Sequence, residues 1–270
     1  MHLQRIVVAL VAIPLLAAVI IWLPAEVFLV FLGVAAVLAC DEFLHMTRAA
    51  GFSTGRWIPL ACAVGLLAAG WTNGVAGFTS AALAVAVLLP TVRLRHPDAP
   101  AGSMAAVACE FLAVFMVATT ATSFGWIRLW PGDQLGVRLI LFFLVCIWVG
   151  DSGAFYVGRS LGRHKMSPRI SPNKTYEGLV GGIAATFVAA FVMRWLLGLE
   201  LAPVHVAALA AILAVTGPLG DLVESLFKRD SGVKDSSSLL PGHGGFLDRT
   251  DSLFYPSPFV LAYLLGAGLV

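Results

Sequence analysis

The feature that most constrains this chain is a succession of apolar runs, at about residues 6–23, 27–44, 57–72, 75–92, 103–124, 137–157, 177–199, 203–222 and 252–270. Most of them approach the ~20 residues that a helix needs to cross a hydrocarbon core roughly 30 Å thick. In that medium every backbone N–H and C=O must be satisfied within the structure, so runs of this length are expected to fold as helices. The reading is therefore an all-α, polytopic membrane helix bundle of about nine transmembrane helices. The run 57–72 is the shortest, and it is parted from 75–92 by Thr72-Asn73-Gly74, a turn-forming sequence. Composition agrees, since 59% of the residues are hydrophobic and 12% charged, against roughly 25% charged in soluble domains. The first run follows Arg5 as a signal peptide would, but it meets Pro24-Ala25-Glu26 without a small-residue cleavage pattern and is read as a retained helix.

The basic residues set the expected orientation. Of the 17 Lys and Arg, 14 fall in alternate loops, Arg128 and Arg138 fall in the opposite ones, and Arg194 lies inside a run. Because Lys and Arg of short loops stay on the cytoplasmic side, the N-terminus and the loops 158–176 and 228–251 are expected to be cytoplasmic. A net charge of +2 spread in this way is no basic face, so nucleic acid is not an expected partner. The four cysteines all lie in apolar runs without metal-site spacing and read as buried small hydrophobes. No internal repeat is visible, and residues 1–270 are expected to form one integral-membrane domain. Residues 1–140 are mainly helical scaffold, and 145–260 carry nearly all the charges that need a reason.

Those charges fall into two groups. The loop from Asp151, DSGAFYVGRSLGRHKMSPRISPNKTYEG, brings Arg159, Arg163, Lys165, Arg169 and Lys174 to a glycine-containing segment at the membrane border. Such donors suit phosphate oxygens, and glycines admit close backbone approach; a positive-inside loop without a ligand explains the same residues. Thr175 with Glu177 is ordinary helix-start chemistry, whereas Lys174 beside a helix start is better explained by an anion bound between them. The second group starts inside the eighth run at Gly217-Pro218-Leu219-Gly220-Asp221 and continues through SLFKRDSGVKDSSSLLPGHGGFLDRTD, residues 225–251. Asp221, Glu224 and Ser225 share one helical face, and a carboxylate in or beside a bilayer is a functional candidate by default. Lys228 could satisfy Glu224 by ion pairing, so Glu224 is as readily structural as functional. Asp248 and Asp251 lie three apart with Arg249 between them; together with Asp221 they suit Mg²⁺, which takes one or two carboxylates plus phosphate oxygens.

Ser225, Lys228-Arg229, Lys234-Asp235, Ser237, Leu240-Pro241, His243-Gly244-Gly245, Asp248-Arg249 and Asp251 together resemble the signature of the phosphatidate cytidylyltransferase (CDP-diacylglycerol synthase) family. Gly158-Arg159 and Ser171-Pro172-Asn173-Lys174-Thr175 resemble it too, so the likeness covers about residues 145–260. Before that the chain shares little beyond hydrophobicity, with Glu42 as an exception to consider. The resemblance implies transfer of the cytidylyl group of CTP to phosphatidic acid, giving CDP-diacylglycerol and pyrophosphate, in a bacterial cell membrane. It implies Mg²⁺, with room for a second metal ion, and a homodimer. On this reading Asp221, Asp248 and Asp251 hold the metal, and Lys228, Arg229, Lys234 and Arg249 hold phosphates. Asn173, Lys174, Ser225, His243, Gly244 and Gly245 bind substrate. Two other classes stay open at this stage: a CTP-dependent lipid kinase, and a secondary transporter of an anionic metabolite, whose inverted repeats are not visible.

Overall fold

The computed structural model describes residues 14–96, 100–237 and 244–270. Residues 14–22 are helical, and the helices that follow are α1 (Ala25–Ala49), α2 (Trp57–Arg93), α3 (Ser103–Leu129) and α4 (Asp133–Leu161). Two short strands, β1 (Lys165–Ser167) and β2 (Ser171–Thr175), then precede α5 (Tyr176–Leu196), α6 (Pro203–Asp230), α7 (Leu247–Phe254) and α8 (Ser257–Gly266). Among the described residues six helices, α1 to α6, are long and apolar enough to cross a membrane. The fold is thus that of an all-α membrane protein with one small antiparallel hairpin, in which Lys165 pairs Thr175 and Ser167 pairs Ser171. The hairpin falls in the loop expected at 158–176, where Pro168 and the surrounding polar residues leave no apolar face for a longer helix.

Helix boundaries depart from the hydropathy runs in instructive places. α2 joins the two short runs, but its backbone breaks at Gly74, which has φ 60° and ψ −148°. That left-handed geometry is open to glycine and strained for other residues. Beyond it the chain folds back, so that Trp126 donates to the Gly70 carbonyl and stacks edge-on against Phe78. α6 runs on past the expected end of its apolar run and keeps Glu224, Ser225, Lys228 and Arg229 helical. It closes at Gly232, φ 70°, where the Gly232 and Val233 N–H groups donate to the Arg229 and Lys228 carbonyls, the paired bonds of a glycine-terminated helix. The expected run 252–270 is divided, because α7 stops at Phe254 and α8 begins at Ser257 around Pro256. A helix of 10 residues spans only about 15 Å at ~1.5 Å per residue, about half a hydrocarbon core.

The chain divides into two compact units that are interleaved in sequence. The first comprises Glu26–Trp126 and Phe227–Thr250. Its buried residues include Ala36, Ala39, Cys40, Phe43 and Leu44 of α1 and Ala63, Leu66, Ala113, Val114 and Ala118 of α2 and α3, and Phe43 meets the ring of Phe227 edge-on at 5.4 Å. The second comprises Ile127–Leu226 and Asp251–Val270, with residues 14–25. There α4 and α5 pack through small residues: a Cβ at Gly153 would lie 2.5 Å from Ala185 Cβ, and one at Gly150 would collide with the Thr186 hydroxyl. Membrane helices associate closely through such stripes because lipid offers no hydrophobic drive between them. In both units large apolar side chains such as Val30, Leu83, Val188 and Trp195 face outward, while Thr122, Ser123 and Thr186 are buried. An apolar exterior of this kind suits lipid contact.

Candidate active site

In the second unit, the crossing of α4 and α5 opens into a cavity of about 700 Å³ that the β1–β2 hairpin borders. Asp151, Phe155 and Arg159 of α4, Lys165 of β1, Asn173 and Lys174 of β2, and Pro218 and Asp221 of α6 line it. The hairpin is tied at its base. Thr175 caps α5 by accepting the Gly178 N–H at 3.1 Å, and Glu177 accepts the backbone N–H groups of Arg163 and His164. Lys174 is thereby aimed inward, with its ammonium 2.8 Å from Asp221 Oδ2 and 3.1 Å from the Pro218 carbonyl.

Asp221 does not stand alone. Carboxylate oxygens of Asp221, Glu224 and Asp251 all lie within 4.8 Å of one another, and Glu224 is only 3% exposed. Glycine brings α7 that close to α6, since a Cβ at Gly220 would sit 2.6 Å from the Asp251 carbonyl oxygen and 2.6 Å from Tyr255 Cβ. Ser225 donates to Asp221 Oδ1 at 3.3 Å. Asp151 is within electrostatic range of Asp221, Asp251 and Lys174. Hard oxygen donors gathered from two helices form the donor set a divalent cation such as Mg²⁺ takes. Three carboxylates held this close repel one another unless cations lie among them, so the residues present fit a bound metal.

In the first unit Lys228 and Asp248 form a buried ion pair at 2.6 Å. Asp248, expected beside Asp221 and Asp251, has its other oxygen taken by the Ser236 N–H and hydroxyl and by the Gly245 N–H. Burial alone would raise its carboxyl pKa. The Lys228 ammonium, the Gly245 N–H and the Ser236 bonds overcome that and hold it at about 2. The amides after the glycines are likewise engaged: Phe246 and Leu247 donate to the two oxygens of Glu42. The backbone from Gly245 to Leu247 thus closes on the protein's own carboxylates, and a side chain at Gly245 would run into Ser236 and Glu42. Arg229 caps the end of α6 by donating to the Val233 carbonyl, and Lys234 and Arg249 are exposed. His243 lies outside the described residues. Sequence reasoning left Glu224 and Asp151 out of the site and weighed Glu42 only in passing. The signal for Glu224 was present, three residues after Asp221 on one helical face.

Fold and site together define a helical membrane protein that sets a carboxylate triad and an inward-facing lysine beside a cavity lined in part by charged residues. Its sequence matches the model of the cytidylyltransferase family over residues 3–266, and the chain belongs to that family. It is similar to the phosphatidate cytidylyltransferase of Bacillus subtilis, 48% identical over 134 residues, which cover 50% of this chain and 49% of that relative. It is similar also to that of Staphylococcus saprophyticus, 43% identical over 141 residues covering 52% and 54%. That of Staphylococcus aureus strain COL is 32% identical over 260 residues covering 92% and 95%. The first two matches thus span about half of each relative's length.

Proposed function

We propose that this protein transfers the cytidylyl group of CTP to phosphatidic acid, giving CDP-diacylglycerol and pyrophosphate. The single observation that carries the reading is the convergence of Asp221, Glu224 and Asp251 with Lys174 at the wall of the α4–α5 cavity, in a chain of the cytidylyltransferase family. In the reaction a phosphate oxygen of phosphatidic acid attacks the α-phosphorus of CTP, the new P–O bond forms, and the bond to the β-phosphate breaks to release pyrophosphate. Two polyanions must meet for this, so positioning and charge neutralisation are what the protein supplies. Lys174, Arg159 and Lys165 face the cavity with the cationic donors that phosphate oxygens need. Asp221, Glu224 and Asp251 would hold Mg²⁺, which when bound neutralises phosphate charge and polarises the α-phosphorus. A phosphate dianion is already nucleophilic near neutral pH, so no general base is required of the chain.

The finer topology belongs to the same reading: nine spans, the N-terminus cytoplasmic, the cavity open to cytoplasmic CTP, and a homodimer in a bacterial cell membrane. Exposed Phe155 and Tyr156 on α4 beside the cavity suit an interface where a lipid substrate keeps its acyl chains in the bilayer. The test is incubation of purified protein with α-phosphate-labelled CTP, phosphatidic acid and Mg²⁺. Label in the lipid phase with one pyrophosphate per lipid is expected. Release of CDP with unlabelled lipid would mean γ-phosphoryl transfer instead, and no labelled lipid at all would overturn the proposal.

A further inference from the structure

Glu42 stands at the C-terminal part of α1, 6% exposed, in a unit whose other buried residues are mostly apolar. Four donors converge on its two oxygens. Oε1 accepts the Ser237 hydroxyl at 2.6 Å and the Phe246 N–H at 3.1 Å; Oε2 accepts the Ser236 hydroxyl at 3.1 Å and the Leu247 N–H at 2.8 Å. The donors come in two pairs, one from each side of residues 238–245. A single carboxylate thus ties Ser236 and Ser237 to Phe246 and Leu247. The Ser236 hydroxyl is shared, because it also lies 2.8 Å from Asp248, the partner of Lys228. Burying a carboxylate costs several kcal/mol even when its lone pairs are filled. Stability alone is therefore a poor account of a charge at this position.

We propose that Glu42 is a positioning residue for the reaction: it clasps Ser236 and Ser237 to Phe246 and Leu247 and, through Ser236, fixes the orientation of the Lys228–Asp248 pair. The proposal rests on the nucleotidyl-transfer reading above. An amide cannot replace the carboxylate, since its NH₂ would face two of the four donors, whereas aspartate keeps both acceptors but draws them back by one methylene.

The experiment compares wild type with Glu42→Gln, Glu42→Asp and Ser237→Ala, each normalised to folded protein in detergent. It measures kcat, separate KM values for CTP and phosphatidic acid, and hydrogen exchange at the Phe246 and Leu247 amides. Glu42→Gln is expected to lower kcat about 10–100-fold with both KM values within roughly threefold, because misplacement by about 1 Å costs on that order. The two amides exchange faster, and Glu42→Asp recovers part of both effects. Should Glu42→Gln fail to fold, Ser237→Ala, which removes one donor of the four, is expected to lower kcat several-fold in the same direction. Unchanged kcat in folded Glu42→Gln overturns the proposal, as does faster amide exchange in Ser237→Ala with kcat unaltered. An inactive wild type would instead remove the functional reading, while unprotected amides at 246 and 247 in wild type would remove the clasp independently of activity.

Discussion

Replacing Gly220 by alanine isolates what the close approach of α6 and α7 does for the carboxylate triad. On an ideal backbone the added methyl carbon lies 2.6 Å from the Asp251 carbonyl oxygen and 2.6 Å from Tyr255 Cβ, with the Tyr255 ring carbon at 3.1 Å. The first two are backbone or backbone-attached atoms, so no rotamer change relieves them. Ordinary carbon contacts need about 3.5–4 Å, so α7 must retreat by about 1 Å and take the Asp251 carboxylate with it. Overpacking of that kind costs about 1–3 kcal/mol, offset in part by the ~1 kcal/mol that alanine gains over glycine inside a helix. Stability should therefore change little, while a displacement of about 1 Å at a catalytic group can cost about 100-fold in rate. Gly217→Ala is the built-in control, because its methyl comes tight only against the far end of the flexible Ile147 side chain, at 2.9 Å, with the Ser252 carbonyl oxygen at an ordinary 3.9 Å. The assay is liponucleotide formation as a function of Mg²⁺ concentration, beside thermal unfolding in detergent. Gly220→Ala should need more Mg²⁺ and turn over slowly, and Gly217→Ala should resemble wild type. Equal activity of the two variants would refute the packing argument for how Asp251 reaches Asp221.

Asp221→Asn and Asp251→Asn should each lower activity by at least the ~10–100-fold that even outer-shell changes at metal sites cost, with EDTA reproducing the loss in wild type. Glu224→Gln should behave the same way, and wild-type Mg²⁺ dependence in that variant would take Glu224 out of the metal site. Lys228→Met leaves Asp248 buried without its cation and should destabilise the protein by about 3–5 kcal/mol, read from unfolding in detergent; a loss under about 1 kcal/mol would mean that the Ser236 and Gly245 bonds suffice. Because Asp248 is held at about 2, below its ordinary value, its stabilising contribution is present above about pH 4 and is lost as pH falls from there to about 2. In Lys228→Met that acid-induced loss should begin at higher pH.

Membrane character and the positions of most helices were legible in hydropathy, because a bilayer demands long apolar helices wherever the chain crosses it. Thr72-Asn73-Gly74 correctly marked a break, since backbone chemistry at glycine acts locally, whereas the run 252–270 read as one span and is divided around Pro256. The end of α6 was legible in part. Hydropathy ends the apolar run at 222, the shared face of Asp221, Glu224 and Ser225 carries the helix past that point, and the closure at Gly232 shows only in the fold. Local periodicity placed Asp221 and Glu224 on one face, but spacing alone made Asp248 and Asp251 look equivalent. In the fold, Asp251 joins Asp221 and Glu224, while Asp248 is held by Lys228, Ser236 and Gly245. The resemblance made Gly244 and Gly245 substrate-binding residues, and the amides of Phe246 and Leu247 that follow them are spent on Glu42, 204 and 205 residues away in sequence.

The sequence by itself determined the medium, the helical class, the family resemblance and the pool of charged residues from which a site could be drawn. All of these follow from composition, spacing and local backbone chemistry. Only the tertiary structure decided which carboxylates face one another, which cation faces which carboxylate, and which hydroxyl and amide groups Glu42 gathers. Those choices depend on contacts between residues far apart in the chain, and on glycines whose value shows only when another helix presses against them.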